Sequence, residues 1–318
     1  MDETWLLDCA TMHWHKMNCT GQIPPPRYGH SAHIVGSRMF IFGGKGVAGA
    51  MYNDVYFLDL VEWIWVPVAT LSTGPVPRLF HSSTLVGRKL VIHGGWNGVT
   101  IFNDMWIFNT DSFGWMQPKT SGFAPSPRYG HTLTLSPDGR LFVFGGCSMS
   151  AKDPIVPCYN NDIRTLDTDT MIWTRPKTVG NLPTGRFAHS ATLLDNNSKL
   201  VIYGGWGKGG VQTKEIINNP RAFSVHVLDL TTLTWFIPTW NSKKPLKHYF
   251  NHGSSGTFDS DAILIFGGSD GRQSVNDFMV LNFDFPQMEE NVDDGQQYAE
   301  EGQYEYAEGG EQYEEERY

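Results

Sequence analysis

At 318 residues, with 13% aromatic side chains, the chain carries enough apolar material to bury a large core of its own. Its formal charge of −9 is held unevenly: residues 289–318 contain 12 of the 33 acidic groups and only Arg317 among the 24 basic ones, so the rest of the chain stands at +2 and lacks the basic field of a nucleic-acid binder. No apolar run approaches the roughly 18 residues of a membrane span, the opening MDETWLLDC lacks a secretory pattern, and four irregularly spaced cysteines make no disulfide scaffold. A cytoplasmic chain with no membrane or nucleic-acid partner is the expectation, and the sequons at Asn18 and Asn196 then carry little weight.

Taken in chain order, the first element is an apolar run at 4–8 that leads into Trp14. PRYGH follows at 26–30, then the β-branched and aromatic runs HSAHIVG, RMFIFGG, DVYFLDL and WIWVPV, each of strand length and separated by Gly, Pro and Asn-Asp turn signals. The same order then recurs. PRLFH stands at 77–81 and PRYGH again at 127–131, and His30, His81, His131, His189 and His252 are each followed by a glycine pair. The pairs are Gly43-Gly44, Gly94-Gly95, Gly145-Gly146, Gly204-Gly205 and Gly267-Gly268, spaced by 51, 51, 59 and 63 residues. A second register places an acidic or amide residue six positions before tryptophan: Asp8 before Trp14, Asp59 before Trp65, Asn109 before Trp115, Asp167 before Trp173 and Asp229 before Trp235. A sixth copy keeps Asn282 and puts Met288 in the tryptophan position.

A period of about 50 residues, each holding four short strands and no amphipathic helix, is the pattern of a β-propeller blade, whose faces are covered by radial packing against its neighbours. The glycine pair at the end of the second strand lets the backbone take positive φ and approach the next blade. The late tryptophan supplies an apolar plate between adjacent sheets. With its Arg-x-x-His strand, Gly-Gly strand, Asn-Asp-hydrophobic strand and late tryptophan, the chain resembles the kelch repeat over residues 1–288. The resemblance implies an all-β, kelch-type propeller of four-stranded antiparallel blades whose loops bind other molecules.

First and second strands occur five times and third strands six times, around 4–8, 55–59, 105–109, 163–167, 225–229 and 278–282. The count allows five blades, or six or more if residues upstream belong to the ring. Kelch propellers usually close by sharing a blade between the two chain ends, which implies His13–Met17 as an outer strand beside the carboxy-terminal strands.

On this topology the second-to-third-strand loops and the starts of the first strands share one face. The loops at 147–159 and 206–223 are the longest, and long loops on a rigid scaffold are where binding residues concentrate. Trp96 and Trp206 open two of these loops and are candidate partner anchors, with folding back onto the blade as the alternative. Arg27, Arg78, Arg128 and Arg186 start the innermost strands and are expected to ring a central mouth, where forked guanidinium donors suit a carboxylate or phosphate. Their recurrence equally suits a structural pairing with Asp54, Asp104 or Asp162. Tyr249 breaks the series, with Lys243, Lys244, Lys247 and His248 just before it, and such asymmetry marks a candidate contact.

Catalytic patterns are weak. GWGKGG at 205–210 satisfies Gly-x-Gly-x-x-Gly, but no helix pattern follows and its first glycine is the ordinary blade glycine. The registered histidines lie a blade apart, too far for one ion, and are expected to be structural. Cys147 and Cys158 lack zinc spacing. The Glu-x-x-x-Asp-x-x-x-His iron site of some plant kelch enzymes is not matched by any glutamate of this chain. No cofactor is expected. Residues 289–318, with a net charge of −11 and no leucine or isoleucine, read as a disordered tail whose tyrosines suit kinases or a basic partner, and which could fold back onto the arginine ring. The reading is a monomeric, non-enzymatic interaction module that binds a protein through its loop face, with a propeller enzyme acting at the central mouth as the alternative.

Overall fold

The strands form where the sequence concentrates β-branched and aromatic residues, and the turns where Asp, Gly and Asn-Asp can close them. In the first repeat these strands are Ser31–Val35, Arg38–Phe42, Val55–Asp59 and Ile64–Pro67. The computed structural model describes residues 3–149, 157–194, 198–207, 225–239, 246–257, 261–285 and 306–307. It divides into two units, Met1–Pro176 and Lys177–Tyr318. Among the described residues the one helical stretch is a single 3-10 turn at Val47–Gly49, so the all-β expectation holds.

The first unit opens with a hairpin of β1 (Thr4–Asp8) and β2 (His13–Met17). The first blade then comprises β3 (Thr20–Gly21), β4 (Arg27–Tyr28), β5 (Ser31–Val35), β6 (Arg38–Phe42), β7 (Lys45–Gly46), β8 (Val55–Asp59) and β9 (Ile64–Pro67). Its main sheet has the order β3-β9-β8-β6-β5, antiparallel from β9 inward, while β3 runs parallel to β9. This fifth strand comes from the connection between blades. Gly21 permits it: a Cβ there would lie 2.3 Å from the Trp65 carbonyl oxygen. Two further blades of this unit are built on Ser82–Val86, Lys89–Trp96, Ile101–Asn109 and Trp115–Met116, and on Thr132–Leu135, Arg140–Phe144, Ile163–Asp167 and Ile172–Thr174.

The second unit holds two blades, on Ser190–Leu194, Lys199–Tyr203, Val225–Asp229 and Thr234–Phe236, and on Gly253–Gly256, Ala262–Phe266, Phe278–Asn282 and Tyr306–Ala307. Two expectations change here. His13–Met17 pairs with β1, and the position beside Phe278–Asn282 is filled by Tyr306–Ala307. The Asp8 turn makes β1 and β2 partners of each other over only four intervening residues, a loop that costs little entropy to close. Two residues of the acidic tail are thereby in a strand, whereas 286–305 and 308–318 lie outside the described residues.

The two repeat registers have separate physical tasks. Asp59 Oδ1 accepts from the N–H groups of Val61 and Glu62, at 2.9 and 3.1 Å, and Asn109, Asp167 and Asp229 close their turns in the same way. The residue that ends each turn has left-handed backbone: Met12, Trp63, Phe113, Met171 and Leu233 all have φ between 56° and 58°. Of the tryptophans that follow, Trp115 and Trp173 pack against the preceding sheet. Trp65, Trp115, Trp173 and Trp235 are buried; Trp115 meets Phe42 of the preceding blade at 5.1 Å, and Trp173 meets His93 at 5.5 Å. Trp14 departs from the series and is 39% exposed.

Candidate interaction face

Four of the five first strands are entered through a buried proline and an arginine. Arg78 donates through Nη1 to the Gly94 carbonyl at 2.9 Å and through both Nη atoms to Asp104, at 2.6 and 2.9 Å, while Phe102 lies beneath the guanidinium at 4.3 Å. Arg27 repeats this with Gly43 and Asp54, at 3.0, 2.5 and 3.1 Å, and Arg128 with Gly145 and Asp162, at 2.9, 2.8 and 3.3 Å. Arg186 donates to the Gly204 carbonyl at 3.0 Å, and burial pushes its guanidinium down to about 9. Burial works to raise the Asp104 and Asp162 carboxyls, but the arginine bonds outweigh it and hold both below the usual carboxylate range.

The arginine ring available to a ligand is therefore corrected. Arg78, Arg128 and Arg186 are fully buried, and Arg27 has its side chain almost covered. Their forks are occupied from within the blade, since a guanidinium removed from water requires every donor to be matched. What approaches solvent is the outer edge of the aspartates. The Tyr249 exception serves the same end: Tyr249 Oη donates to Asp277, and Lys247 Nζ reaches the same carboxylate at 2.7 Å, so two neutral-plus-cationic side chains take the place of one fork. Lys247 and Tyr249 hold the Asp277 carboxyl below its ordinary value. Lys243 and Lys244 lie outside the described residues.

The glycine pair completes the bracket. Gly43 accepts from Arg27, while the Gly44 N–H donates to the Arg78 carbonyl of the next blade at 2.9 Å. Both glycines have positive φ, 68° and 94°, and a Cβ on Gly44 would meet the His30 Cβ at 2.9 Å. Gly95 and Gly205 repeat the donation, to the carbonyls of Arg128 and Tyr249. Histidines tie the same neighbours: Nε2 of His81, His131 and His252 bonds to Oγ of Ser31, Ser82 and Ser190, at 2.9, 2.6 and 2.8 Å. Burial, reinforced by the Arg78 charge, pushes His81 down to about 3. Among the described residues no group of three or more His, Cys, Asp or Glu side chains is placed to hold a metal ion.

Above these brackets, in the first unit, runs a row of aromatic side chains that the sequence reading missed. Tyr28 and Phe80 lie 6.0 Å apart, Phe80 and Tyr129 lie 6.4 Å apart, and Trp96 stacks on Tyr129 at 5.6 Å and 25°. The backbone beneath is linked from blade to blade: the Phe80 N–H donates to the Gly29 carbonyl at 2.8 Å and the Gly130 N–H to the Phe80 carbonyl at 2.7 Å. Phe80 adopts φ 52°, a left-handed value that is costly for a bulky residue and that glycine supplies in the neighbouring repeats. An aromatic between arginine and histidine in four of the five repeats was the available signal.

Trp96 and Trp206 are half-buried. Trp96 packs on Tyr129 of the following repeat, and in the second unit Trp206 packs on Phe250 of the following repeat at 5.0 Å. The short loops beside them are ordered by side-chain turns, as where Asn97 Oδ1 accepts from the N–H groups of Val99 and Thr100 at 3.0 and 2.7 Å. Their tips are apolar and open: Val47 is 76% and Val99 91% exposed, and Tyr28 of the aromatic row is 52% exposed. The centres of the two long loops, 150–156 and 208–224, lie outside the described residues.

Five sheets, braced within the blade by buried arginine or Lys–Tyr brackets and joined to neighbours within each unit by paired glycines and histidine bonds, define a β-propeller built from kelch-type blades. The chain belongs to the kelch-repeat family: the model for the KLHDC2/KLHL20/DRC7 Kelch-repeats domain matches residues 1–205 and 151–307. Among similar proteins, Host cell factor of Drosophila melanogaster is 29% identical over 309 residues, covering 86% of this chain and 19% of that protein. Host cell factor 2 of Homo sapiens is 32% identical over 227 residues, covering 64% and 27%, and Acyl-CoA-binding domain-containing protein 4 of Arabidopsis thaliana is 26% identical over 326, covering 81% and 45%. The chain thus spans less than half the length of these relatives.

Proposed function

We propose that the chain is a non-enzymatic protein-interaction module that binds a partner protein through the face carrying its second-to-third-strand loops. The observation that carries this reading is the character of that face in the first unit, where Val47, Val99 and Tyr28 are exposed beside an aromatic row while the arginines are consumed internally. Apolar and aromatic groups held at a rigid surface are the anchors of protein interfaces. His81, His131 and His252 and the arginines Arg27, Arg78 and Arg128 are engaged in bonds between and within blades. The small share of Host cell factor that the chain matches supports a module that works within a larger protein. A Val47→Asp/Val99→Asp variant tests the face. Both side chains are solvent-exposed, so thermal stability should stay unchanged while proteins captured from native cells by the wild type are lost. Retention of the same captured proteins would sink the reading.

A further inference from the structure

Asn97-Gly98 is the one Asn-Gly pair in the sequence, and it sits in the loop that joins the strands Lys89–Trp96 and Ile101–Asn109. The loop closes on a bond from the Asn97 N–H to the Thr100 carbonyl at 3.2 Å, and Asn97 Oδ1 accepts from the N–H groups of Val99 and Thr100 at 3.0 and 2.7 Å. Gly98 takes φ 94° and is exposed, and its own N–H donates to no acceptor among the described residues.

The fifth repeat shows how such a turn treats charge. Asp270 stands there in the role of Asn97: its N–H bonds the Gln273 carbonyl at 3.2 Å, its Oδ1 accepts from the N–H groups of Arg272 and Gln273 at 2.8 and 2.9 Å, and Gly271 has φ 89°. The Gln273 and Arg272 N–H groups hold the Asp270 carboxyl below its ordinary value. A pair of donors placed in this way favours negative charge on the side-chain oxygen, and at Asn97 that oxygen belongs to an amide carbonyl.

Asn109 supplies the contrast. Its Oδ1 also accepts from two N–H groups, of Asp111 and Ser112 at 2.9 and 3.0 Å, but the residue after it is the β-branched Thr110, whose N–H is bonded to the Arg88 carbonyl at 3.2 Å. At Asn97 the following nitrogen is unbonded, open to water and unshielded by a Cβ.

We propose that Asn97 is a self-modification site, where the Gly98 main-chain nitrogen attacks Asn97 Cγ while the Val99 and Thr100 N–H groups hold the oxygen on which charge develops. The new N–Cγ bond closes an imide ring; the Cγ–Nδ2 bond breaks, and Nδ2 leaves as ammonia with the proton that Gly98 gave up to water. One water then opens the imide, giving aspartate by addition at Cγ or isoaspartate by addition at the Asn97 main-chain carbonyl carbon. Aspartate keeps the turn, as Asp270 does. Isoaspartate lengthens the main chain by a methylene between Trp96, which stacks on Tyr129, and the exposed Val99. Either product places a carboxylate on an apolar loop tip, a one-way change in that surface whose chemistry does not depend on what the surface binds.

The test is peptide mapping of the folded 318-residue chain after incubation at mildly alkaline pH in heavy-oxygen water. Asn97 should lose ammonia and take up solvent label at least about tenfold faster than Asn109, and at least as fast as the same pair in a free peptide of residues 93–104, HGGWNGVTIFND. Slower conversion in the folded chain than in the peptide overturns the proposal, because the turn then protects the pair; so does conversion at Asn109 that keeps pace with Asn97. Asn97→Asp should melt at the wild-type midpoint or above it. A lower midpoint would show that these two N–H groups do not favour charge, and would overturn the proposal as well.

Discussion

The arginine in each repeat shows how one residue type can sit in a functional-looking register and serve the fold. Its recurrence at the start of four of the five first strands was plain, but the direction of its fork was not, because both a ligand and a neighbouring aspartate satisfy the same five donors. The structure places the aspartate there, with Gly94 and its equivalents taking the remaining donor. Removing one partner strands a charge that has been taken from water, so Asp104→Ala should cost about 3 kcal/mol. Asp54→Ala should cost less, about 1–2 kcal/mol, because the Asp54 side chain is more exposed than that of Asp104. Urea unfolding of the two variants checks the order; equal losses would mean that burial of the carboxylate does not set the cost.

At the scale of the element, the Asp-to-Trp register was the most legible feature, because turn and plate are both local requirements that each copy must meet by itself. The turn asks only for a side-chain oxygen that accepts two N–H groups, which Asp167 provides to Asp169 and Thr170. Asp167→Ala should therefore lower the thermal midpoint, and Asp167→Asn should leave it nearly unchanged, with thermal melts as the check. A large loss for the asparagine variant would assign the effect to charge instead of geometry. Trp14 shows the limit of such reading. Its sequence register is that of the buried tryptophans, but among the described residues its sheet has two strands where theirs have four or five. The Tyr306–Ala307 strand was equally hidden, since the tail has no period from which to infer a partner.

Across the whole molecule, the same bracket that joins blades makes the fold sensitive to acid. Burial is the leading cause that pushes His81, His93, His226 and His252 down to about 3, with the charge of Arg78 adding to it at His81, of Arg128 at His93, of Arg186 at His226 and of His248 at His252. In the unfolded chain a histidine takes a proton near its ordinary value of about 6.5. Below that pH the unfolded state binds protons that the folded state refuses, so stability is full above about pH 6.5 and falls steadily as the pH drops toward 3. Each histidine contributes at most about 1.4 kcal/mol per pH unit in that window, and four together remove on the order of 4 kcal/mol between pH 6.5 and 5.5, a large part of the whole stability of many domains. The depressed carboxyls act in the same direction but only as the pH falls through their own lower range, as for Asp229 at about 2, so they cannot account for a loss that begins near pH 6. The thermal midpoint should accordingly be level from pH 8 to 7 and drop steeply between 6.5 and 5.5. A His81→Gln/His252→Gln variant, which keeps a side-chain group able to bond Ser31 and Ser190, should show a shallower drop over the same range. A midpoint that stays level to pH 5 would mean that the buried rings accept protons without opening the brackets.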